Sequence, residues 1–177
     1  MNNNEVAEDT GIQDSEEIEQ ESEEYISEDN IIQVVSFSLL NDVEYGIDIL
    51  SIHEILKVID IARLPNTPPF IKGVINLRGN VIPVVNVRKR FGYKESKITD
   101  ESRIVVVGVQ GKLIGLLVDM VFQVFRIPLK DIDTPSELIE GVSAEFIQGV
   151  ARMKDRLIVI LKLDNILFPE EGYEKQK

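Results

Sequence analysis

The chain contains no cysteine, no tryptophan and a single histidine, His53. Without cysteine there are no disulfides and no thiol nucleophile, which fits a reducing compartment. His53 has no second metal-binding residue at ligand spacing, so it reads as a surface or half-buried side chain. The G-x-S-x-G, P-loop and G-x-G-x-x-G patterns are also absent, and Asp48 with Glu54 read as ordinary surface acids rather than a catalytic carboxylate pair. The longest apolar run, at residues 157–161, is far short of a membrane span, and the acidic N-terminus carries no apolar stretch of signal-peptide type. The expected protein is cytoplasmic and non-enzymatic, needs no cofactor or metal, and does not insert directly into a membrane.

Basic residues are missing from one region altogether. Residues 1–29 hold twelve acids and no lysine or arginine, so the formal charge of −12 belongs to that segment. The remaining acids and bases balance at 19 each, which excludes the net basic field of a nucleic-acid binder. The triplet Arg88-Lys89-Arg90 in this neutral part reads as a solvated face. Residues 1–30 bury too little apolar surface to offset the entropy of ordering and are expected to be a disordered acidic tail. A short helix around residues 15–25 has little to pack against.

Residues 70–92, FIKGVINLRGNVIPVVNVRKRFG, read as a hairpin of two half-buried strands. Arg78-Gly79-Asn80 is the expected three-residue tip, with Arg78 pointing outward. Pro83 cannot donate to a ladder, so its strand is expected at a sheet edge or at a bulge. Residues 146–168 repeat this pattern without a gap at an offset of 76, with Phe70, Ile71, Gly73, Val74 and Ile82 recurring as Phe146, Ile147, Gly149, Val150 and Ile158.

Earlier, residues 32–39 and 43–49 read as two strands turned at Asn41-Asp42. Residues 51–56 suit either a short helix or a strand. Three prolines within residues 65–69 make a stiff extended loop, and residues 88–91 suit one helical turn. Residues 104–109 and 113–118 form a hairpin around Gln110-Gly111. This pair matches the first two strands at an offset of 69, with Gly46 falling on Gly115; the offsets differ because the connection 128–145 is seven residues longer than its counterpart.

The expectation is a duplicated all-β fold, with residues 34–92 and 103–168 each building a small barrel of about five short strands. Halves of that size are marginal alone and should pack tightly, lending a strand across if needed. The groove between them is the natural binding surface. Where copy one has Glu54 and Arg78-Gly79, copy two has Gln123 and Lys154-Asp155. A fold that manages without these residues in one copy does not require them in the other, and recognition is the role they suggest.

The run Tyr45-Gly46-Ile47-Asp48-Ile49, followed by Ile52-x-Glu54-Ile55 and then by residues 63–85, RLPNTPPFIKGVINLRGNVIPVV, resembles the CheW family of bacterial chemotaxis coupling proteins. The resemblance covers residues 31–169 and omits the acidic tail and residues 170–177. It implies two SH3-like five-stranded barrels packed together with a few short helices. It further implies an adaptor joining the cytoplasmic tips of methyl-accepting chemoreceptors to the regulatory domain of the histidine kinase CheA, recruited to the inner membrane face through those receptors. By position, Glu54 and Arg78, with Gly79 beside them, match the charged pair of the family motif. Ile52, Gly73 and Gly149 match positions on or beside the receptor groove, and Ile47 and Ile49 complete the expected aliphatic docking face. A regulatory or scaffold module of another two-component pathway is the alternative. The sequence departs from the family in its long acidic extension and in Asn86, where aspartate is usual.

Overall fold

The computed structural model describes residues 30–39, 43–135 and 142–167. The acidic tail, the Asn41-Asp42 turn and the C-terminal residues 168–177 lie outside them. Eleven strands follow in chain order: β1 (Ile31–Ser38), β2 (Glu44–Asp48), β3 (Ile52–Lys57), β4 (Ile71–Leu77), β5 (Asn80–Asn86), β6 (Arg103–Val109), β7 (Lys112–Val118), β8 (Met120–Pro128), β9 (Ile132–Asp133), β10 (Ile147–Met153) and β11 (Arg156–Leu161). Two short helices, α1 (Val87–Arg90) and α2 (Leu163–Leu167), follow β5 and β11. Residues 51–56 resolve as the end of a 3-10 turn, Ile49–Ser51, running into strand β3.

The strands form a six-stranded sheet in the order β8-β1-β2-β11-β10-β9 and a five-stranded sheet in the order β3-β6-β7-β5-β4. Exchanging each strand for its repeat mate (β1 with β6, β2 with β7, β3 with β8, β4 with β10, β5 with β11) turns the second order into the first five strands of the other. The duplication is therefore real, but the sheets do not coincide with residues 34–92 and 103–168. Each sheet combines the first two strands of one copy with the last three of the other. The joins are the parallel ladders β2 to β11 and β5 to β7 and the antiparallel ladders β1 to β8 and β3 to β6. Strand lending is reciprocal, because a small half buries too little surface alone and the exchange makes each sheet's core common property.

Core residues alternate along the strands between two environments. Ile82, Val84, Ile104, Val106 and Leu117 pack in a cluster of the five-stranded sheet, and Val34, Ile127, Ala151, Ile158 and Ile160 do the same in the six-stranded sheet. The residues between them, including Val85, Val105, Val107, Leu116, Val159 and Leu161, join Phe37, Tyr45, Phe91 and Phe146 in the largest cluster, between the sheets. A sheet that buries a core among its own strands has curled on itself, and its outer face is then covered by the other sheet. Burial on both faces explains why these strands read as continuous apolar runs.

Three local expectations are revised. The tips joining β4 to β5, β6 to β7 and β10 to β11 are two-residue turns with positive φ at the first residue: Arg78 (51°), Gln110 (50°) and Lys154 (39°). Asn80 pairs with Leu77 and belongs to β5. Pro83 lies in an internal strand with no bulge at its own position. It fits because the parallel ladder to β7 covers only Val84 to Asn86, leaving Pro83 outside it. Asn86, at the start of α1, uses both ends of its amide: Oδ1 accepts from the Lys89 backbone N–H at 3.1 Å and Nδ2 donates to Glu95 at 3.3 Å. An aspartate could make only the first of these.

Glu95 pins the connection between the copies. It pairs with Lys72 on β4 and with Lys89 on α1 at 2.9 Å, and these contacts, the Lys72 hydrogen bond first, hold its carboxyl down from 4.5 to about 2. A lowered carboxyl contributes stability that is present above about pH 4.5 and lost as pH falls toward about 2. Glu95→Gln should therefore be less stable than the parent chain at neutral pH. The gap should close through that window in urea unfolding at descending pH.

Candidate functional site

The turn joining β4 and β5 needs two left-handed residues, and Arg78-Gly79 supplies them, with φ of 51° and 86°. Asn76 Oδ1 accepts from the Gly79 backbone N–H at 2.9 Å and closes the turn. The Arg78 backbone is thereby fixed and its side chain leans back across the sheet opening. There its two terminal nitrogens donate to the two oxygens of Glu54 at 3.1 and 3.0 Å. Glu54 sits on β3, one edge of the five-stranded sheet, and the Arg78 turn adjoins β4, the other edge. The pair spans the gap between the edges of the curled sheet. It is an outside contact: the Arg78 side chain is 76% exposed and that of Glu54 29%. Exposed pairs contribute only ~0–1 kcal/mol to stability, so the fork presents a fixed charge pattern while holding little of the fold together. At the matching place in copy two, Gln123 and Lys154 make no such fork.

The expected aliphatic face holds only in part. Ile49 and Ile52 are half-buried, and Ile52 packs against the central core. Ile47 is 1% exposed and belongs to that core, because the β2 residues that alternate toward the other sheet are covered by it. It is withdrawn from the docking face. The residue that does stand out is Leu50, 91% exposed on the 3-10 turn that Asp48 caps by accepting its N–H at 2.9 Å. An apolar residue falling out of strand alternation in Asp48-Ile49-Leu50-Ser51 was the signal for it.

Gly73 and Gly149 are buried, and both permit a close crossing of chain. A Cβ on Gly73, whose φ is +150°, would lie 2.2 Å from the Ala62 carbonyl oxygen, and one on Gly149 would lie 2.5 Å from Ile132 Cγ2 and 3.2 Å from the Asp133 oxygen. The crossing segments bridge to β4 at Val74 and to β10 at Val150. Gly79 is exposed at the turn.

Between the sheets opens a groove of about 250 Å³, lined by Asp48, Ser51, Gly108, Gln110, Gln148 and Lys162 among others. It adjoins the Leu50 turn, and Gln110 Nε2 donates across to Asp164 at 3.0 Å. Among the described residues there is no cluster of three or more His, Asp or Glu that could hold a metal, and no helix long and apolar enough to cross a membrane. What the surface offers is a seam, an exposed leucine and an oriented charge fork.

The CheW-like domain family matches residues 33–170. The chemotaxis protein CheW of Helicobacter pylori is 37% identical over 79% of this chain and 85% of its own length, and that of Treponema pallidum 31% identical over 81% and 86%. Among solved structures, the scaffolding protein TtCheW of Thermoanaerobacter tengcongensis superimposes with a TM-score of 0.74 at 38% identity, covering 82% of this chain and 97% of that one. In residues and in architecture alike, this chain belongs to the CheW family.

Proposed function

We propose that the chain is a non-enzymatic coupling adaptor that links the helical tips of chemoreceptors to the regulatory domain of a CheA-type histidine kinase, recruited to the membrane by the receptors it binds. The observation that carries this reading is the Glu54–Arg78 fork, oriented in two dimensions by paired hydrogen bonds yet exposed. A receptor tip is an amphipathic helix, and helices dock by laying apolar residues against a groove while charges set register. Leu50, with Ile49 and Ile52 beside it, supplies the apolar contact at the seam. Glu54 and Arg78 supply the register. No step in such coupling needs a cofactor.

Arg78→Glu places two carboxylates face to face on the surface. Its melting temperature should stay within a few degrees of the parent chain, while capture of a receptor-tip fragment falls about tenfold or more. Exchanging the charges in the double variant, Glu54→Arg with Arg78→Glu, should rebuild the ion pair without restoring capture. Unfolding of Arg78→Glu would make the fork structural, and unchanged capture would remove it from the docking face.

A further inference from the structure

The repeat relates two seams between the sheets, and only one is open. Exchanging residues for their repeat mates carries Asp48, Lys162 and Asp164 of the groove beside Leu50 onto Leu117, Asn86 and Arg88. Those three line the corresponding seam, where the free space is about 10 Å³ against about 250 Å³ in the open one. What fills it is the connection between the copies, residues 93–102, whose Ser96, Lys97, Ile98 and Ser102 close over the remaining hole.

The connection lies there as a ligand would. Its Glu95 pairs with Lys72 and Lys89 and accepts from Asn86 Nδ2 at 3.3 Å. The Lys94 carbonyl accepts from Arg88 Nε at 2.7 Å, and Ser96 Oγ donates to Asp119. None of residues 94–101 is buried. A segment tied by polar contacts, with little buried apolar surface behind them, opens locally while the rest of the fold stays closed. Beneath it Asp119 is 8% exposed, and its second oxygen lies 3.6 Å from Arg88 without a hydrogen bond. The charged side chains that the connection touches are three cations, Lys72, Arg88 and Lys89, and one acid, Asp119. That floor is net positive and suits a carboxylate. The mates of the three cations are Gln148, Asp164 and Asn165, so the open seam offers a different chemistry.

We propose that the seam beneath residues 93–102 is a second docking site, for an extended acidic segment of a partner protein. The connection closes it in cis by holding Glu95 where the partner's carboxylate would lie. A partner enters only by displacing the connection, so its affinity is set by how firmly Glu95 and Ser96 hold. The site is separate from the Leu50 seam and does not rest on receptor docking.

The probe is the synthetic peptide of residues 93–102, titrated into isotopically labelled full-length chain. In the double variant Glu95→Gln with Ser96→Ala the peptide should saturate, with amide shifts centred on Lys72, residues 86–89 and Asp119. The parent chain should bind it about tenfold or more weakly, because only the fraction with the connection open is competent. A peptide carrying Glu95→Gln should lose the effect in both chains. Ser96→Ala alone, which keeps the ion pairs, serves if the double variant fails to fold, and should bind the peptide more tightly than the parent does. No binding to the loosened chain, equal binding to loosened and parent chains, or shifts centred on the Leu50 seam would each overturn the proposal.

Discussion

Gly73→Ala should lower the unfolding free energy by about 3–5 kcal/mol, in the exceptional range for a single methyl group. The added Cβ would meet the Ala62 carbonyl oxygen at 2.2 Å, its carbon at 2.9 Å and Ile61 Cγ2 at 2.9 Å, on a backbone whose φ of +150° L side chains rarely adopt. Neither obstacle is the free end of a flexible side chain. Relief requires the segment at Ala62 to leave β4, which breaks the reciprocal hydrogen bonds with Val74 at 2.9 and 2.8 Å. Backbone strain of this kind costs about 1–3 kcal/mol by itself. For a domain of this size the loss corresponds to a fall in melting temperature of about 8–16 °C. Gly79→Ala is the control: its φ is +86° but nothing lies within 4 Å of the added atom, so the loss should be about 1 kcal/mol. Equal losses in the two melts would show that the Ala62 strap moves aside without cost.

Arg90→Ala should cost about 3 kcal/mol, through contacts that join the two copies. The guanidinium stands 4.8 Å from the Phe70 ring centre and 4.5 Å from that of Phe146, and these two phenylalanines are repeat mates. Its Nε donates to the Ile166 carbonyl at 2.8 Å and its Nη2 to the Asn165 carbonyl at 3.1 Å, both in the last turn of α2. Cation–π contacts are worth about 0.5–2 kcal/mol each and charged hydrogen bonds about 1.5–3, but contacts sharing one group do not add. Arg90→Lys should recover less than half the loss, because an ammonium lacks the flat face and the fork. Denaturant unfolding measures both variants. Full rescue by lysine would reduce the role of Arg90 to simple charge at a helix end.

The repeat was legible because apolar register survives where identity does not: Gly46 and Gly115 hold the same place, as do the Arg78 and Lys154 turns. The Glu54–Arg78 pair was legible because the second copy dispenses with it. The exchange of strands between copies was not, since swapped and unswapped pairings bury the same side chains on the same faces. Pro83 misled because the rule it invokes concerns one N–H, and the β7 ladder simply begins one residue later. Ile47 and Gly73 lie in motifs that suggest recognition, yet burial assigns one to the core and the other to a crossing of backbones.

The parallel ladders between copies have a consequence for how the protein comes into being. β2, paired on one side with β1, finds its other neighbour only in β11, 112 residues from Glu44 to Arg156 along the chain, and on its side away from β4, β5 must wait for β7. On the ribosome the first copy leaves the exit tunnel with one sheet lacking its far strands and the other lacking its middle; the five-stranded sheet is complete once β7 has emerged, the six-stranded sheet only with β11. The six-stranded sheet is therefore the one that closes as synthesis ends. Two nascent chains held side by side at that moment could trade copies with each other as readily as within one molecule.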